Sequence, residues 1–540
     1  MTTTDTAGSY AHEYATAILE RNRVPMPPVD FQPDWSDKPR PTKYYPGALS
    51  FPLPDMPPPR SATVGAGIAP DPGDEAFSLP MLGAMLRDSY GLIGRRLGIQ
   101  ANTDTPGYPW YARANWHRGT ASGGGLYPCS VYWVAGPGAG VCPGVYHYSC
   151  RHHAMQRLLA GEVTARVRAA ADLPADTTQF LVVGVKYWAN SFKYNNFSYH
   201  AVSMDVGTLL QTWRLWAGGQ RRRIEPRFWF DQAALSHLLG VPPEEEGLFT
   251  VVPLRWAAAG TTDAPSQGTT ATVTVAATDG ASVLRRDSEQ SRVVLTFDAL
   301  RRIHRETAES ATSRPEPGAL AAAAARAVPD GGDRVTLPPA STMDIPIRTA
   351  LSRRRSSFGR FDGSVAMDGA DLAALLTAAC SAHLPTEITS DDGTLTKFYV
   401  FVNHVRGVAP GSYEYDPTRH ELRAIRPGPP GMFLQRNYFL PNYNLEQAAV
   451  VIVPTIRVHA VLDAVGPRGY NVVNATIGAV AQNVYTAAAA LDVGCGVALG
   501  FDAVSYVEEL GLDATGETPL LIMLAGHERD LPADYRHELR

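Results

Sequence analysis

Leu79, Leu82, Met85 and Leu86 recur at the three- and four-residue spacing of one helix face and predict a helix. Residues 126–135 and 180–185 are short apolar runs rich in β-branched and aromatic side chains, the pattern of buried strands. The helical period returns over 204–216 and 233–239. A second series follows, with a helix over 371–380, strands over 398–402 and 450–453, and a long alanine-rich helix over 475–491. Alanine-rich helix surfaces let backbones approach closely, so this last helix is expected at a domain interface. Strand and helix signals mixed in this way predict an α+β fold. Between the two series, residues 257–342 are Ala, Thr, Gly, Ser and Pro with one helical pattern at 297–311, and read as a connection. Ahead of both, residues 22–75 are proline-rich with interspersed aromatics, the composition of an extended arm lying on a folded body or of a disordered segment.

The two series are copies of one unit. Tyr199 and Tyr470 stand 271 positions apart, and so do Gly207 and Gly478, Gln211 and Gln482, Phe230-Asp231 and Phe501-Asp502, Gly240 and Gly511, and Glu246 and Glu517. Upstream the offset is 267, where Gly144-Val145-Tyr146-His147-Tyr148 matches Gly411-Ser412-Tyr413-Glu414-Tyr415. Two copies imply two packed units. A chain of 540 residues is too long for one core, and the expected division is an arm over 1–75, a first unit over 76–256, a connection over 257–342 and a second unit over 343–530.

A net charge of −5 gives no general pull toward nucleic acid or anionic lipid, so any bound anion must be held by a local site. The first twenty residues lack a basic segment followed by an apolar core, and no run approaches eighteen apolar residues, which makes the cytoplasm the expected location with no membrane partner. Five widely spaced cysteines without a Cys-x-x-Cys pair read as reduced thiols with no structural metal site. Of 48 basic residues only Lys38, Lys43, Lys186, Lys193 and Lys397 are lysine. An amine can give up its proton where a guanidinium cannot, so these five draw notice, although a GC-rich genome produces the same bias.

Four constellations could carry chemistry, and they are split between the copies. Ser122-Gly123-Gly124-Gly125-Leu126 precedes a predicted strand; its glycines allow close approach to a ligand, and successive amides can cradle an anion. The second copy has Thr389-Ser390-Asp391-Asp392-Gly393 there, whose carboxylates would repel a phosphate. The second copy instead opens with Arg353-Arg354-Arg355-Ser356-Ser357, guanidinium groups beside hydroxyls that suit a phosphate or equally form a solvated basic turn. Gly494-Cys495-Gly496 could lay bare backbone against a flat ring, whereas the matched stretch of the first copy, residues 221–225, carries bulky charged side chains. Lys193-Tyr194 offers a base and a hydroxyl donor if burial lowers the lysine pKa; a surface lysine is the plain alternative, and Lys186-Tyr187 is a second such pair. The counterpart of Lys193-Tyr194 is Ala464-Val465.

Taken in order, Ser122 to Pro128, the Gly-x-Tyr-x-Tyr element at 144–148, Lys193-Tyr194, Tyr199, Asp205 and Gly207 resemble the SagB/McbC-type azoline dehydrogenases of the FMN-dependent nitroreductase superfamily. The arginine-serine strip before Phe358, Gln482-Asn483 and the late glycines before Phe501-Asp502 resemble the flavin half of that superfamily. The resemblance implies two tandem nitroreductase-like domains forming an intramolecular pseudo-dimer, possible further oligomerisation aside. It further implies one composite FMN site, lined by Arg353, Arg354, Arg355, Ser356, Ser122, Gly123, Gly124, Gly125, Leu126, Gly494, Cys495 and Gly496, with Lys193 and Tyr194 catalytic. The implied activity is oxidation of thiazoline or oxazoline rings to thiazole or oxazole in a ribosomally made precursor peptide. Dioxygen would be the final acceptor and a cyclodehydratase the partner. The alternatives are a flavin oxidoreductase for another substrate and a flavin-free scaffold. Three departures stand out: Phe358 where the superfamily often has arginine, Asn195 where a glycine follows Lys-Tyr, and Phe197 where an arginine is expected that the second copy keeps as Arg468.

Overall fold

The computed structural model describes residues 9–71, 73–97, 104, 114–257, 280–390, 393–530 and 535–539. Asp391 and Asp392, residues 258–279 of the connection and residues 1–8 and 72 of the arm lie outside the described residues.

The architecture is α+β, with two large antiparallel sheets. The first runs in the order Leu49–Pro52, Ala154–Ala160, Gly144–Ser149, Cys129–Ala135, Gln179–Lys186, Glu246–Pro253. The second runs Arg334–Thr336, Glu421–Pro427, Gly411–Asp416, Lys397–Val402, Val450–Ile456, Ile522–Gly526, Gly494–Ala498. Strands at matched sequence positions occupy matched places. The last strand of the second sheet has no equivalent in the first, where 221–225 forms no strand. Both leading edge strands come from segments whose composition reads as arm or connection. They are only four and three residues long, and an edge position tolerates such sequences because half of its backbone groups need no partner.

The repeated Phe-Asp…Gly pattern is a helix punctuated at both ends. Asp231 accepts the amide of Ala234 at 2.9 Å and starts the helix Gln232–Leu239, and Gly240 ends it at φ 63°. Asp502 and Gly511, at φ 67°, bracket Ala503–Leu510 in the same places. An Asp oxygen satisfies an orphan helix donor, and glycine adopts the left-handed closing turn without a Cβ penalty.

The predicted helices at 204–216 and 475–491 extend to Ser198–Gly218 and Gly469–Ala490, and they form the centre of the molecule. They cross where the matched glycines lie. A Cβ on Gly207 would collide with the carbonyl of Ala475, and one on Gly478 with the carbonyl of Met204. The polar contacts are reciprocal too: Tyr199 Oη donates to Asn471 Oδ1 at 2.8 Å, while Tyr470 Oη meets His200 Nδ1 at 2.9 Å. Arg468, fully buried, donates to Phe228 O and Gln232 Oε1 at 2.8 Å, tying the start of the second long helix to the first unit. These contacts commit its guanidinium to a structural role.

Each sheet also buries its copy of a matched glutamate, Glu246 or Glu517, beside a tyrosine and a lysine. Tyr132 Oη donates to Glu246 at 2.9 Å, and Tyr399 Oη donates to Glu517 at 3.0 Å. Lys43, from the arm, pairs with Glu246, while Lys397 pairs with Glu414 and lies 3.8 Å from Glu517. The arm is thus joined to the first sheet by an ion pair as well as by a strand. Its first helix, Tyr10–Glu20, is anchored at its N-terminus, where Glu306 accepts the amides of Tyr10 and Ala11 at 3.0 and 2.7 Å. Among the described residues no helix is long and apolar enough to cross a membrane, and all five cysteines are free.

Candidate active site

Residues 118–127 cross from the first unit to the long helices and are pinned from both. The Ala121 amide donates to Gln482 Oε1 at 2.9 Å, and Thr208 Oγ1 donates to Ala121 O at 2.8 Å. The glycine turn that follows differs from the expected anion cradle. Its Gly123 amide donates to Asp205 Oδ1 at 2.8 Å and Ser122 Oγ donates to Asp205 Oδ2 at 2.7 Å, so a carboxylate of the protein takes these donors. Asp205 is buried, and burial pushes its carboxyl up to about 7 against the pull of Ser122 and Gly123. The sequence marks Asp205 only as part of a motif, because its partners lie more than eighty positions away.

Gly124 and Gly125 are exposed, and Gly124 has φ 62°. A Cβ on Gly124 would collide with Tyr194 Oη and lie 2.9 Å from Lys193 Nζ, so the glycine turn and the Lys-Tyr pair, nearly seventy positions apart, meet face to face. Lys193 and Tyr194 end the helix Trp188–Tyr194. Lys193 Nζ lies 4.7 Å from the Tyr194 ring centroid and 6.0 Å from that of Trp35 in the arm. Asn195, the next residue, has a positive φ of 42°.

The other candidate pair is resolved by its partners. Lys186 Nζ sits 2.5 Å from Asp287 and 2.6 Å from Glu289, and Tyr187 Oη lies 2.8 Å from His304 Nδ1, which commits both side chains to structural contacts. Lys43 and Lys397 are likewise paired with carboxylates. Lys193 is half-buried and has no ion pair among the described residues.

The arginine strip lies against the same stretch from the other side. Arg354 is buried and donates to the carbonyls of Gly119 at 2.9 Å and Arg118 at 3.1 Å, with its guanidinium 5.2 Å from the Tyr485 ring centroid. Arg355 pairs with Glu528, and Ser356 Oγ lies 2.8 Å from Tyr485 Oη. Arg354 thus braces the two units, while the groups of Arg355 and Ser356 are engaged by partners within the second unit. Arg353 is exposed and makes no hydrogen bond or ion pair to a described residue. Behind the strip, Arg96 donates to Ser352 O at 3.1 Å and Arg354 O at 3.0 Å from a small sheet that joins Gly94–Leu97, Ala114–His117 and Arg536–Glu538.

Gly494, Cys495 and Gly496 also depart from expectation. They open the edge strand Gly494–Ala498 rather than a loop, and the space of the missing Cβ atoms is taken: a Cβ on Gly494 would lie 2.5 Å from the Glu528 side chain and one on Gly496 2.5 Å from the Tyr443 ring. Ser357 closes the edge, its Oγ accepting the Cys495 amide at 2.9 Å. Burial pushes the Cys495 thiol well up, which makes it an inert wall rather than a nucleophile.

The surroundings of the strip fit the phosphate of a flavin nucleotide. Arg96, Arg353, Arg354, Arg355 and Arg536 gather there, and the buried Nε of Arg96 and both ring nitrogens of His117 lack a hydrogen-bond partner among the described residues. Burial and the positive charges of Arg96, Arg354 and Arg536 push His117 down to about 3; burial and Arg354 push Arg96 down to about 9. A site that disfavours further cations to this degree favours an anion.

A sequence model described as the nitroreductase family matches residues 351–527, within the second unit. Searching the curated proteins gives no match. Among solved structures, a nitroreductase-type protein from Anabaena variabilis superposes with a TM-score of 0.68 at 21% identity, covering 96% of this chain and 100% of that one. A nitroreductase-type protein from Ralstonia eutropha covers 40% of this chain and 95% of its own, at 20% identity and a TM-score of 0.29. The Escherichia coli microcin synthetase McbBCD complex with truncated pro-MccB17 covers 33% of this chain and 70% of its own, at 16% identity and a TM-score of 0.28. With the family match in the second unit and the whole-chain likeness together, the chain has a nitroreductase-superfamily fold.

Proposed function

We propose that this chain is an FMN-dependent dehydrogenase that oxidises thiazoline or oxazoline rings of a modified precursor peptide to the aromatic azoles. The observation that carries the reading is the meeting of Lys193 and Tyr194 with the exposed face of Gly124, in a protein whose buried lysines are otherwise neutralised by carboxylates. FMN, when bound, supplies a two-electron acceptor. Arg353 and Arg96 are the groups suited to hold its phosphate. Lys193 Nζ then takes the acidic ring proton beside the amide carbonyl, and the Tyr194 hydroxyl steadies the ring by hydrogen bonding. Asp205 fixes the turn that forms the opposite wall.

We read the two units as an intramolecular pseudo-dimer with a single competent site. The reciprocal contacts of Gly207 with Ala475 and Gly478 with Met204 support this reading, since an isologous interface repeats each contact with the roles exchanged. The reciprocal site would have Ala464-Val465 in place of Lys193-Tyr194, and no arginine strip precedes the first unit. A precursor peptide and its cyclodehydratase are the partners that follow from the reading.

The test is turnover of a synthetic thiazoline peptide by protein loaded with FMN. Lys193→Ala is expected to keep flavin and lose azole formation. Full activity in that variant would contradict the assignment, and a protein that stays colourless with added FMN would favour the scaffold.

A further inference from the structure

A second cationic centre lies outside the proposed active site. Beneath the arm, residues 40–43 close a narrow cleft over the first sheet, with Tyr90, Arg118, Tyr127 and Tyr148 in its wall. Arg118 is 3% exposed and makes no hydrogen bond or ion pair to any described residue through its side chain; its Nε and Nη1 are buried and unpartnered. The rings of Tyr90 and Tyr127 clamp the guanidinium from two sides, each centroid 4.3 Å from Cζ. The ionisable groups that act most on it are Cys150, Tyr90, Tyr127 and Tyr148, while the nearest carboxylate acting on Tyr90 is Asp205, which is held by Ser122 and Gly123.

The other cations of the cleft are matched. Lys43 has Glu246, Lys186 has Asp287 and Glu289, and Arg40 donates to Ser288 O at 3.0 Å. The backbone that carries Arg118 is fixed, its own carbonyl and those of Gly119 and Thr120 being held by Arg354. An arginine does not discharge by losing its proton, and ring faces return only part of what desolvating it costs. The Tyr90 hydroxyl, also buried without a hydrogen-bond partner among the described residues, adds another donor to the same cleft.

We infer that Arg118 and Tyr90 form a binding site for a small oxyanion, a carboxylate or a phosphate, distinct from the flavin-phosphate site at the Arg353 strip. Both anion types accept the parallel N–H bonds of an arginine fork and a third bond from a hydroxyl. The inference stands on this cleft alone and is independent of the azoline reading.

The test is thermal melting of the full chain in chloride buffer, titrated with inorganic phosphate or with acetate, with flavin content measured in every sample. The expected result is a saturable rise in Tm for the unsubstituted protein, a weaker rise for Tyr90→Phe and none for Arg118→Gln. Without oxyanions Arg118→Gln should melt no lower than the parent, since it removes an unpaired buried charge. Repeating the titration with saturating FMN separates the two sources of phosphate: an unchanged response supports a separate site, whereas its disappearance, or loss of flavin in Arg118→Gln, means that Arg118 serves the flavin phosphate and overturns the proposal. No response in the parent, an equal response in parent and Arg118→Gln, or a lower melting point of Arg118→Gln without oxyanions would each overturn it as well.

Discussion

At the scale of single residues, the account turns on the contact between Gly124 and the Lys193-Tyr194 pair. Gly124→Ala would push its methyl group against the tips of Tyr194 and Lys193, which must shift out of their present positions, and its φ of 62° penalises any side chain. The variant is expected to lose about 1–3 kcal/mol of stability by chemical denaturation and to lower kcat while flavin remains bound. Lys193→Ala should lower kcat by about 10²- to 10⁴-fold, the range of a lost general base. Asp205 supplies a pH test. Its folded carboxyl is raised to about 7, so from the ordinary Asp range up to about 7 the unfolded chain loses that proton while the folded chain keeps it. The stability contributed by this group is therefore full at low pH and lost as pH rises toward 7, at a limiting slope of about 1.4 kcal/mol per pH unit. Asp205→Asn should lack this component, so the stability of the parent relative to the variant falls from pH 4 to 7; a pH-independent difference would show that Asp205 is already ionised in the fold at pH 4.

At the scale of elements, the crossing of the two long helices carries the sharpest expectation. Gly207→Ala and Gly478→Ala each push a methyl group into a backbone carbonyl of the partner helix, and each should destabilise by roughly 1–3 kcal/mol or more in urea melts. Gly65→Ala, whose added methyl group would find its nearest neighbour at 3.6 Å, should change stability by less than about 1 kcal/mol and serves as the control. Much of this level is legible in the sequence. The matched glycines mark the crossing because only close backbone approach demands glycine inside a helix. Phe-Asp…Gly marks two helices, each closed by its glycine in the left-handed turn, with Asp231 also capping the start of the first. Gly494-Cys495-Gly496 is misleading, since glycines signal a loop as readily as a strand whose side-chain space is filled by Tyr443 and Glu528. The edge strands Leu49–Pro52 and Arg334–Thr336 are hidden by length and composition, because pairing with a neighbour decides them rather than any local pattern. Nor does a sequence tell which arginine of a triplet turns inward: Arg354 braces the 118–120 carbonyls, whereas Arg353 faces out.

At the scale of the whole molecule, the two units share an architecture but differ in chemical endowment. The first holds the Lys-Tyr pair and the glycine turn, the second the arginine strip and an extra edge strand, and residues 118–127 run between the two long helices where these parts meet. On this reading a chain with two copies has one place where all the parts coincide. The most direct measurement is flavin quantified per chain from the visible absorbance of purified protein reconstituted with FMN. The account predicts close to one equivalent, and two equivalents would contradict the single composite site.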